Sequence, residues 1–169
     1  LLLNQDTWFE RDTLSNLVKV LESDFNIGAC QCKLRQYYVP KMIDSCGDLM
    51  SEIGVGISLR FGEIDKEPYP SNKVEEIMLG RGAALAVKRE VIEKIGGLFP
   101  SYYIGAGFED LDLSLRIRFA GYKIVMAHSS IVYHHSLKPL KDRAQNFFVS
   151  MFFLVANMFP LSIILKHLL

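Results

Sequence analysis

Three carboxylates lie within four residues in Glu109-Asp110-Leu111-Asp112, at the predicted start of a helix. A helix dipole favours anions at its N-terminus by about 0.3 to 1 kcal/mol each, which accounts for one or two acids better than for three. The cluster therefore predicts either a cationic partner or a protonation event. The alternative is structural: Glu109 and Asp110 complement the dipole, and Asp112 pairs with Arg116 one turn later.

A second acidic position follows the apolar run at residues 1–3. This run predicts a short buried strand, and its end delivers the polar side chains of Asn4, Gln5, Asp6 and Thr7. Ligand sites favour that position in open α/β sheets. Asp6 is therefore a candidate ligand-binding residue, or else it only ends the strand and caps a turn.

The rest of the pattern predicts alternating helices and strands. The predicted helices begin at Asp12 or Thr13, near Arg89 and near Glu109, and they end near Asp24, at Gly96 and at Gly121. In the first helix the predicted core-facing stripe consists of Leu14, Leu17, Val18 and Leu21. The predicted strands cover residues 27–34, 122–126 and 131–134, and apolar residues become dense again at 77–79 and 82–87. Residues 35–76 predict a long irregular insert, and loops of that length are usually functional or mobile.

The charge balance argues against nucleic acid as a partner. The 169 residues include 19 basic and 19 acidic side chains, whereas proteins that bind a phosphate backbone carry a basic excess. The length suits one domain of ordinary size. Cys30, Cys32 and Cys46 have no CxxC spacing, so they predict buried reduced thiols rather than a disulfide framework or a thiolate metal site.

The C-terminal segment from Asn146 to Leu165 carries no formal charge. Its length is just enough to span a bilayer as a helix, but Asn146, Asn157 and Pro160 interrupt the apolar run. Three readings stay open: a helix that lies in the membrane interface, a buried terminal helix pair, and a spanning helix. The basic residues that would flank an interfacial helix are Lys138, Lys141, Arg143 and Lys166.

The order of these pieces resembles the family 2 glycosyltransferases, in the rhamnosyltransferase-like and galactofuranosyltransferase-like branch. The resemblance runs from Leu1 to about His135. The motifs that carry it are Asn4-Gln5-Asp6-Thr7, Gly82-Ala83-Ala84-Leu85, Lys88-Arg89-Glu90, Gly96-Gly97, Glu109-Asp110-Leu111-Asp112-Leu113 with Arg116, Ala120-Gly121-Tyr122 and Tyr133-His134-His135. It implies an α/β fold, namely part of a GT-A domain with a Rossmann-like, mostly parallel sheet. That domain would occupy residues 1–137, and residues 138–169 would form an apolar or amphipathic helical tail.

The resemblance also implies roles for single residues. Asp110 matches the general base for an acceptor hydroxyl, and Glu109 would orient the acceptor. Asp6 matches the metal-binding acid, and His134 lies where relatives supply a further metal ligand, unless it is only a hydrogen-bonded histidine at a strand end. The implied metal is Mg²⁺ or Mn²⁺. The implied donor-binding residues are Asn4, Asp6, Gly82, Ala83 and Arg116, although Gly82 and Ala83 also suit plain close packing.

The function implied by the resemblance is inverting transfer of a sugar from a nucleotide-diphosphate donor to a hydroxyl of a glycan or lipid-linked glycan, in cell-surface polysaccharide or glycoconjugate synthesis. The enzyme would work in the cytoplasm, at the inner face of the cell membrane. Family members have a strand and a base-binding segment before the position of Leu1, so the chain is expected to be an N-terminally truncated excerpt. The alternatives are a non-catalytic, membrane-associated scaffold and a metal-dependent hydrolase that uses Asp6 and His134.

Overall fold

The computed structural model describes residues 1–51, 54–66, 73–101, 103, 107–135, 144–160 and 162. Two strands, β3 and β9, are much longer than the others and lie side by side in the centre of a seven-stranded sheet. The elements in chain order are β1 (Leu2–Leu3), β2 (Thr7–Phe9), α1 (Thr13–Glu22), β3 (Ile27–Gln36), β4 (Ile43–Ser45), β5 (Asp48–Met50), β6 (Gly56–Ser58), β7 (Val74–Ile77), β8 (Ala84–Val87), α2 (Arg89–Lys94), α3 (Glu109–Phe119), β9 (Lys123–His134) and α4 (Ala144–Met158).

The sheet is mixed and mostly antiparallel, so the prediction of a mostly parallel, Rossmann-like GT-A sheet is wrong. Its strand order is β1-β8-β3-β9-β2, with β4 paired to β3 and β7 paired to β9. Among the described strands only β3 and β9 run parallel. That prediction followed from the resemblance to family 2 glycosyltransferases. Instead, strands of two to four residues reverse the chain on both sides of the central pair.

Helices cover both faces of the sheet. Cys30, Cys32 and Leu34 of β3 pack with Leu17 and Val20 of α1 on one face. The opposite face packs against α2 and α3, in a core made of Ala29, Ile43, Cys46, Ile77, Leu85, Val91, Leu113, Ile117, Ile124 and Met126. The three cysteines are buried and free, as predicted. Burial raises the pKa of Cys32 and of Cys46 to about 11, so neither thiol is reactive at neutral pH.

Several predicted elements are confirmed and others need correction. Helix α3 and strand β3 lie where they were predicted, and Gly121, with φ +90°, follows the end of α3. The α1 stripe is wrong in part, because Leu14 and Val18 are exposed while Thr13 and Val20 are buried. The two strands predicted at 122–126 and 131–134 are one strand, β9. The predicted irregular insert contains β4, β5 and β6 and reaches into β7.

Helix α4 packs against α3 through one face. Leu154 is fully buried beside Leu111 and Leu115, whereas Val149 and Phe152 are exposed. No helix within the described residues is both long enough and apolar enough to cross a membrane. The basic residues predicted to flank this helix, and the predicted boundary between residues 137 and 138, lie outside the described residues.

Candidate functional site

Asp110 lies in the first turn of α3, and its carboxylate is held from both sides. Asp110 Oδ2 accepts a hydrogen bond from the Gly82 backbone N–H at 3.0 Å, and Oδ1 accepts one from the Leu111 N–H at 3.0 Å. The residue before α3, Phe108, has a left-handed φ of +70°, which is uncommon for a bulky side chain. Backbone strain of this kind concentrates at functional sites. The chain therefore enters α3 through a constrained turn that fixes where Asp110 lies.

The surroundings of Asp110 disfavour its charged form. Burial raises the pKa of this carboxyl to about 6, against the hydrogen bond from Gly82, which lowers it. The negative charges of Glu109 and Asp48 raise the pKa further, and the positive charge of Arg81 lowers it. A carboxyl with a pKa close to neutrality is suited to take and release a proton at working pH.

The turn that carries Gly82 is anchored to the end of β1 and to the central strand. The Asn4 backbone N–H donates to the Ala83 carbonyl at 3.1 Å. The Arg81 N–H donates to Oε1 of Gln31, a fully buried side chain of β3, at 2.7 Å. A Cβ at position 82 would lie 3.3 Å from Asp110 Cβ, closer than most real contacts of that kind. Glycine is therefore used here for close approach between the turn and α3.

Asp6 and His134 lie next to each other. His134 Nε2 is 3.5 Å from Asp6 Oδ1 and 3.4 Å from the Asn4 side-chain amide nitrogen. The opposite ring nitrogen, Nδ1, is 2.9 Å from Asp44 Oδ2. The antiparallel pairing of β2 with the end of β9 aligns Thr7 with His134, which brings Asp6 to the imidazole.

Arg81 connects the two halves of this arrangement. Its Nη2 donates to Asp48 Oδ1 at 2.9 Å and also contacts Ser58 Oγ. Its Nη1 lies 3.8 Å from Asp44 Oδ2, the same oxygen that contacts His134. Asp6, His134, Asp44 and Arg81 thus form one chain of polar contacts, and the residue after Arg81 holds Asp110. We call these residues, together with Asp48, the strand-end site.

Asp6 and His134 together fit a divalent cation when other ligands complete the site. The Asp44 carboxylate accepts from Nδ1, so a neutral His134 presents a lone pair on Nε2 towards a carboxylate oxygen of Asp6. A hard cation would bind both acceptors by displacing the contact between the Asn4 amide nitrogen and Nε2. Among the described residues, no group of three or more His, Cys, Asp or Glu side chains is arranged to hold a metal ion. Diphosphate oxygens and water would therefore have to supply most of the coordination.

The structure brings most of the predicted site residues together, but it places Arg116 elsewhere. The guanidinium of Arg116 contacts Asp112 Oδ2 at 2.8 Å and donates to the carbonyl of Gly97 at 2.7 Å. It also donates to the carbonyls of Ile95 and Leu98, so it braces α3 against the end of α2. Glu109 accepts a hydrogen bond from the Gly107 N–H. Donor binding by Arg116 and acceptor orientation by Glu109 stay predictions.

Sequence reasoning missed Asp44, Asp48 and Gln31, all of which are buried at the strand-end site or beneath it. Each of these polar side chains meets a partner far along the chain. Asp44, for example, contacts His134, 90 residues later. The available signal was local: Asp44 and Asp48 flank the short run Ser45-Cys46-Gly47 in the segment read as an irregular insert. Lone acids among small and apolar residues often mark a buried polar contact.

Comparison with known proteins adds little about activity. No protein-family model matches the chain. A segment of 53 residues, which is 31% of the chain, is 42% identical to "Uncharacterized protein y4gI" of Sinorhizobium fredii (strain NBRC 101917 / NGR234). The matched segment covers 6% of that protein's length. The resemblance to family 2 glycosyltransferases therefore stays a prediction.

Proposed function

We propose that the protein transfers a sugar from a nucleotide-diphosphate donor to an acceptor hydroxyl, with inversion at the anomeric carbon. The observation that carries this proposal is that a carboxyl suited to proton transfer and a pair of candidate metal ligands are linked at one site. Asp110 is a partly buried carboxyl whose pKa is raised to about 6, and Arg81-Gly82 links it to the pair Asp6 and His134. An inverting transfer needs both a base and a place for the charged leaving group.

The proposed reaction uses Asp110 as the general base. Its carboxylate takes the proton of the acceptor hydroxyl while the hydroxyl oxygen attacks the anomeric carbon of the donor. The bond from that carbon to the diphosphate breaks, and the nucleoside diphosphate leaves with the electron pair. Asp6 and His134 would hold a divalent cation, which would supply positive charge to the diphosphate.

The exposed face of α4 favours an acceptor held at a membrane surface. Val149 and Phe152 are exposed on a helix whose opposite face is packed on α3. A peripheral contact through this face would hold the enzyme beside a lipid-linked glycan. The enzyme would therefore act at the surface of the cell membrane.

The test compares Asp110→Asn with wild type in the full-length protein. Donor binding is measured by calorimetry with a panel of UDP-sugars and dTDP-sugars in the presence of Mn²⁺. Turnover is measured as nucleoside diphosphate release with soluble and vesicle-bound lipid-linked glycans. We expect Asp110→Asn to keep donor binding and to lose turnover by about 100-fold to 10,000-fold, the usual contribution of a positioned general base.

Glu90→Gln is the matched control, because Glu90 is an exposed acid in the first turn of α2. It should leave both donor binding and turnover unchanged. Retained turnover in Asp110→Asn would remove Asp110 as the base. If wild type gave no heat with any donor, the result would favour the scaffold alternative instead. Release of free sugar without an acceptor would favour the hydrolase.

A further inference from the structure

The contact between Asp44 and His134 has no counterpart among the residues that the family resemblance implies. Asp44 belongs to β4, its side chain is almost fully buried, and its Oδ2 lies 2.9 Å from His134 Nδ1. A carboxylate oxygen accepts hydrogen bonds and donates none. The imidazole nitrogen at this contact must therefore carry the proton.

The proton on Nδ1 determines the protonation of the other ring nitrogen, Nε2. With the proton on Nδ1, a neutral His134 has its lone pair on Nε2, which lies 3.4 Å from the Asn4 amide nitrogen and 3.5 Å from Asp6 Oδ1. Histidines that bind metals generally donate their second N–H to a carboxylate or carbonyl, and this contact fixes the tautomer and the ring orientation. The same arrangement occurs here: Asp44 accepts from Nδ1 of His134, and the opposite nitrogen of the ring faces Asp6.

The sheet holds the contact at a fixed distance. Strand β4 pairs with the end of β3 through Leu34 with Ser45, and β9 pairs with the same stretch of β3 through Gln36 with His134. One segment of the central strand therefore sets the positions of both partners. Arg81 Nη1, 3.8 Å from Asp44 Oδ2, places positive charge beside the accepting oxygen.

We propose that Asp44 is a positioning residue, which holds His134 in the Nδ1–H tautomer so that Nε2 faces Asp6 as a metal ligand. The inference rests on the metal-assisted function proposed above. Its primary readout, however, is the tautomer in the metal-free protein, which involves no donor, acceptor or turnover. The turnover of Asp110→Asn therefore tests the proposed function, and the tautomer of His134 separately tests the role of Asp44.

The experiment begins with nitrogen NMR of the full chain, labelled with ¹⁵N-histidine, at pH 8. The His134 signals are identified by their absence in His134→Gln. We expect a protonated Nδ1 and an unprotonated Nε2 in wild type. A proton on Nε2, alone or in addition to Nδ1, would overturn the proposal.

The second measurement is Mn²⁺ affinity, determined by titration with the metal alone and with the metal plus inorganic pyrophosphate. Asp44→Asn offers an amide that can donate as well as accept, so the tautomer is no longer enforced. We expect this variant to shift the His134 tautomer and to bind Mn²⁺ about 10-fold to 100-fold more weakly, the usual effect of losing such a partner. Unchanged affinity in a folded variant would contradict the proposal.

Glu63→Gln provides the control, since Glu63 is an exposed acid of the same chain segment and pairs with Arg60 at 3.0 Å. This variant should keep both the wild-type tautomer and the wild-type Mn²⁺ affinity. If Asp44→Asn does not fold, the tautomer of the wild-type protein decides the question alone.

Discussion

Among the described residues, a buried charge cluster and a half-buried one follow opposite rules. In the first, Asp65 is fully buried between two cations of β3, at 2.6 Å from Lys33 Nζ and 2.7 Å from Arg35 Nη2. In the second, the strand-end site, the carboxylates of Asp6, Asp44, Asp48 and Asp110 converge around Arg81 and His134. The first cluster has more cations than acids, and the second has more acids than cations.

The two clusters shift the pKa of their acids in opposite directions. Burial works to raise the pKa of Asp65, but the hydrogen bonds and charges of Lys33 and Arg35 outweigh it and lower that pKa. At Asp110 burial raises the pKa to about 6, and neither the hydrogen bond from Gly82 nor the positive charge of Arg81 reverses this. The comparison teaches that Asp65 is stabilised as an anion, which suits a structural role. Asp110 is held close to the point where it exchanges a proton.

The largest expected difference between the clusters is in stability at neutral pH. Asp65→Asn removes the negative charge that two buried cations share, and breaking such a pair typically costs about 3 to 5 kcal/mol. We expect a loss of that size in the free energy of unfolding, measured by urea denaturation at pH 7. Glu63→Gln, which loses only an exposed contact, should stay within about 0.5 kcal/mol of wild type. If the two variants were equally stable, the Asp65 cluster would not be a structural clamp.

The same chemical change at Asp110 should act in the opposite direction. The pKa of Asp110 in the folded protein, about 6, lies above the ordinary value of 3.8, so the fold favours the protonated form. That preference is fully present below the ordinary pKa, and it is lost as the pH rises through 6. Asp110→Asn removes the titrating charge, and the loss of one of the two accepted backbone hydrogen bonds adds a cost that is the same at every pH.

We therefore expect the stability of Asp110→Asn relative to wild type to be higher at pH 8 than at pH 4 by about 1 to 3 kcal/mol. Urea denaturation at both pH values measures it. An equal stability difference at both pH values would mean that the folded protein does not disfavour the charged form of Asp110, and the contrast with Asp65 would be lost.

The sequence predicted those features of the two clusters that depend on residues close together in the chain. Helix α3 was found from its apolar spacing and from Gly121, whose φ of +90° follows the helix end. The position of Asp110 in its first turn followed directly. The pairing of Asp6 with His134 was implied by the family resemblance and by no local pattern, and the structure places the two side chains 3.5 Å apart.

Long-range pairing explains what was missed. The direction of the sheet depends on which strands meet, and β1 pairs with β8, some eighty residues later, through Leu3 with Ala84. Asp65 likewise reaches Lys33 and Arg35 across a segment that reads as an irregular insert. No local pattern marks such partners in advance. In α1 the face that meets the sheet was misjudged because Leu14 and Val18 are apolar yet exposed.

The smallest expected effect tests the contact that tunes Asp110 itself. Gly82→Ala adds a Cβ at 3.3 Å from Asp110 Cβ, so the turn or the carboxylate must move by a few tenths of an ångström. Because the Gly82 N–H lowers the pKa of Asp110, lengthening this hydrogen bond should raise that pKa. We expect turnover to fall by about 10-fold or less, since even a displacement of about 1 Å costs on the order of 100-fold. The acidic limb of the profile of kcat/KM against pH should move to higher pH.

Gly56→Ala supplies the matched control for that shift. Its Cβ would lie 3.2 Å from a methyl group of Leu111, so it crowds the same helix to a similar degree without touching the Asp110 carboxylate. We expect its pH profile to match wild type, even if its stability falls slightly. Equal pH profiles in both alanine variants would mean that crowding of α3 near Gly82 does not reach the proton-exchanging group. In that case burial and the neighbouring acids alone, rather than the Gly82 turn, would set the pKa that distinguishes Asp110 from Asp65.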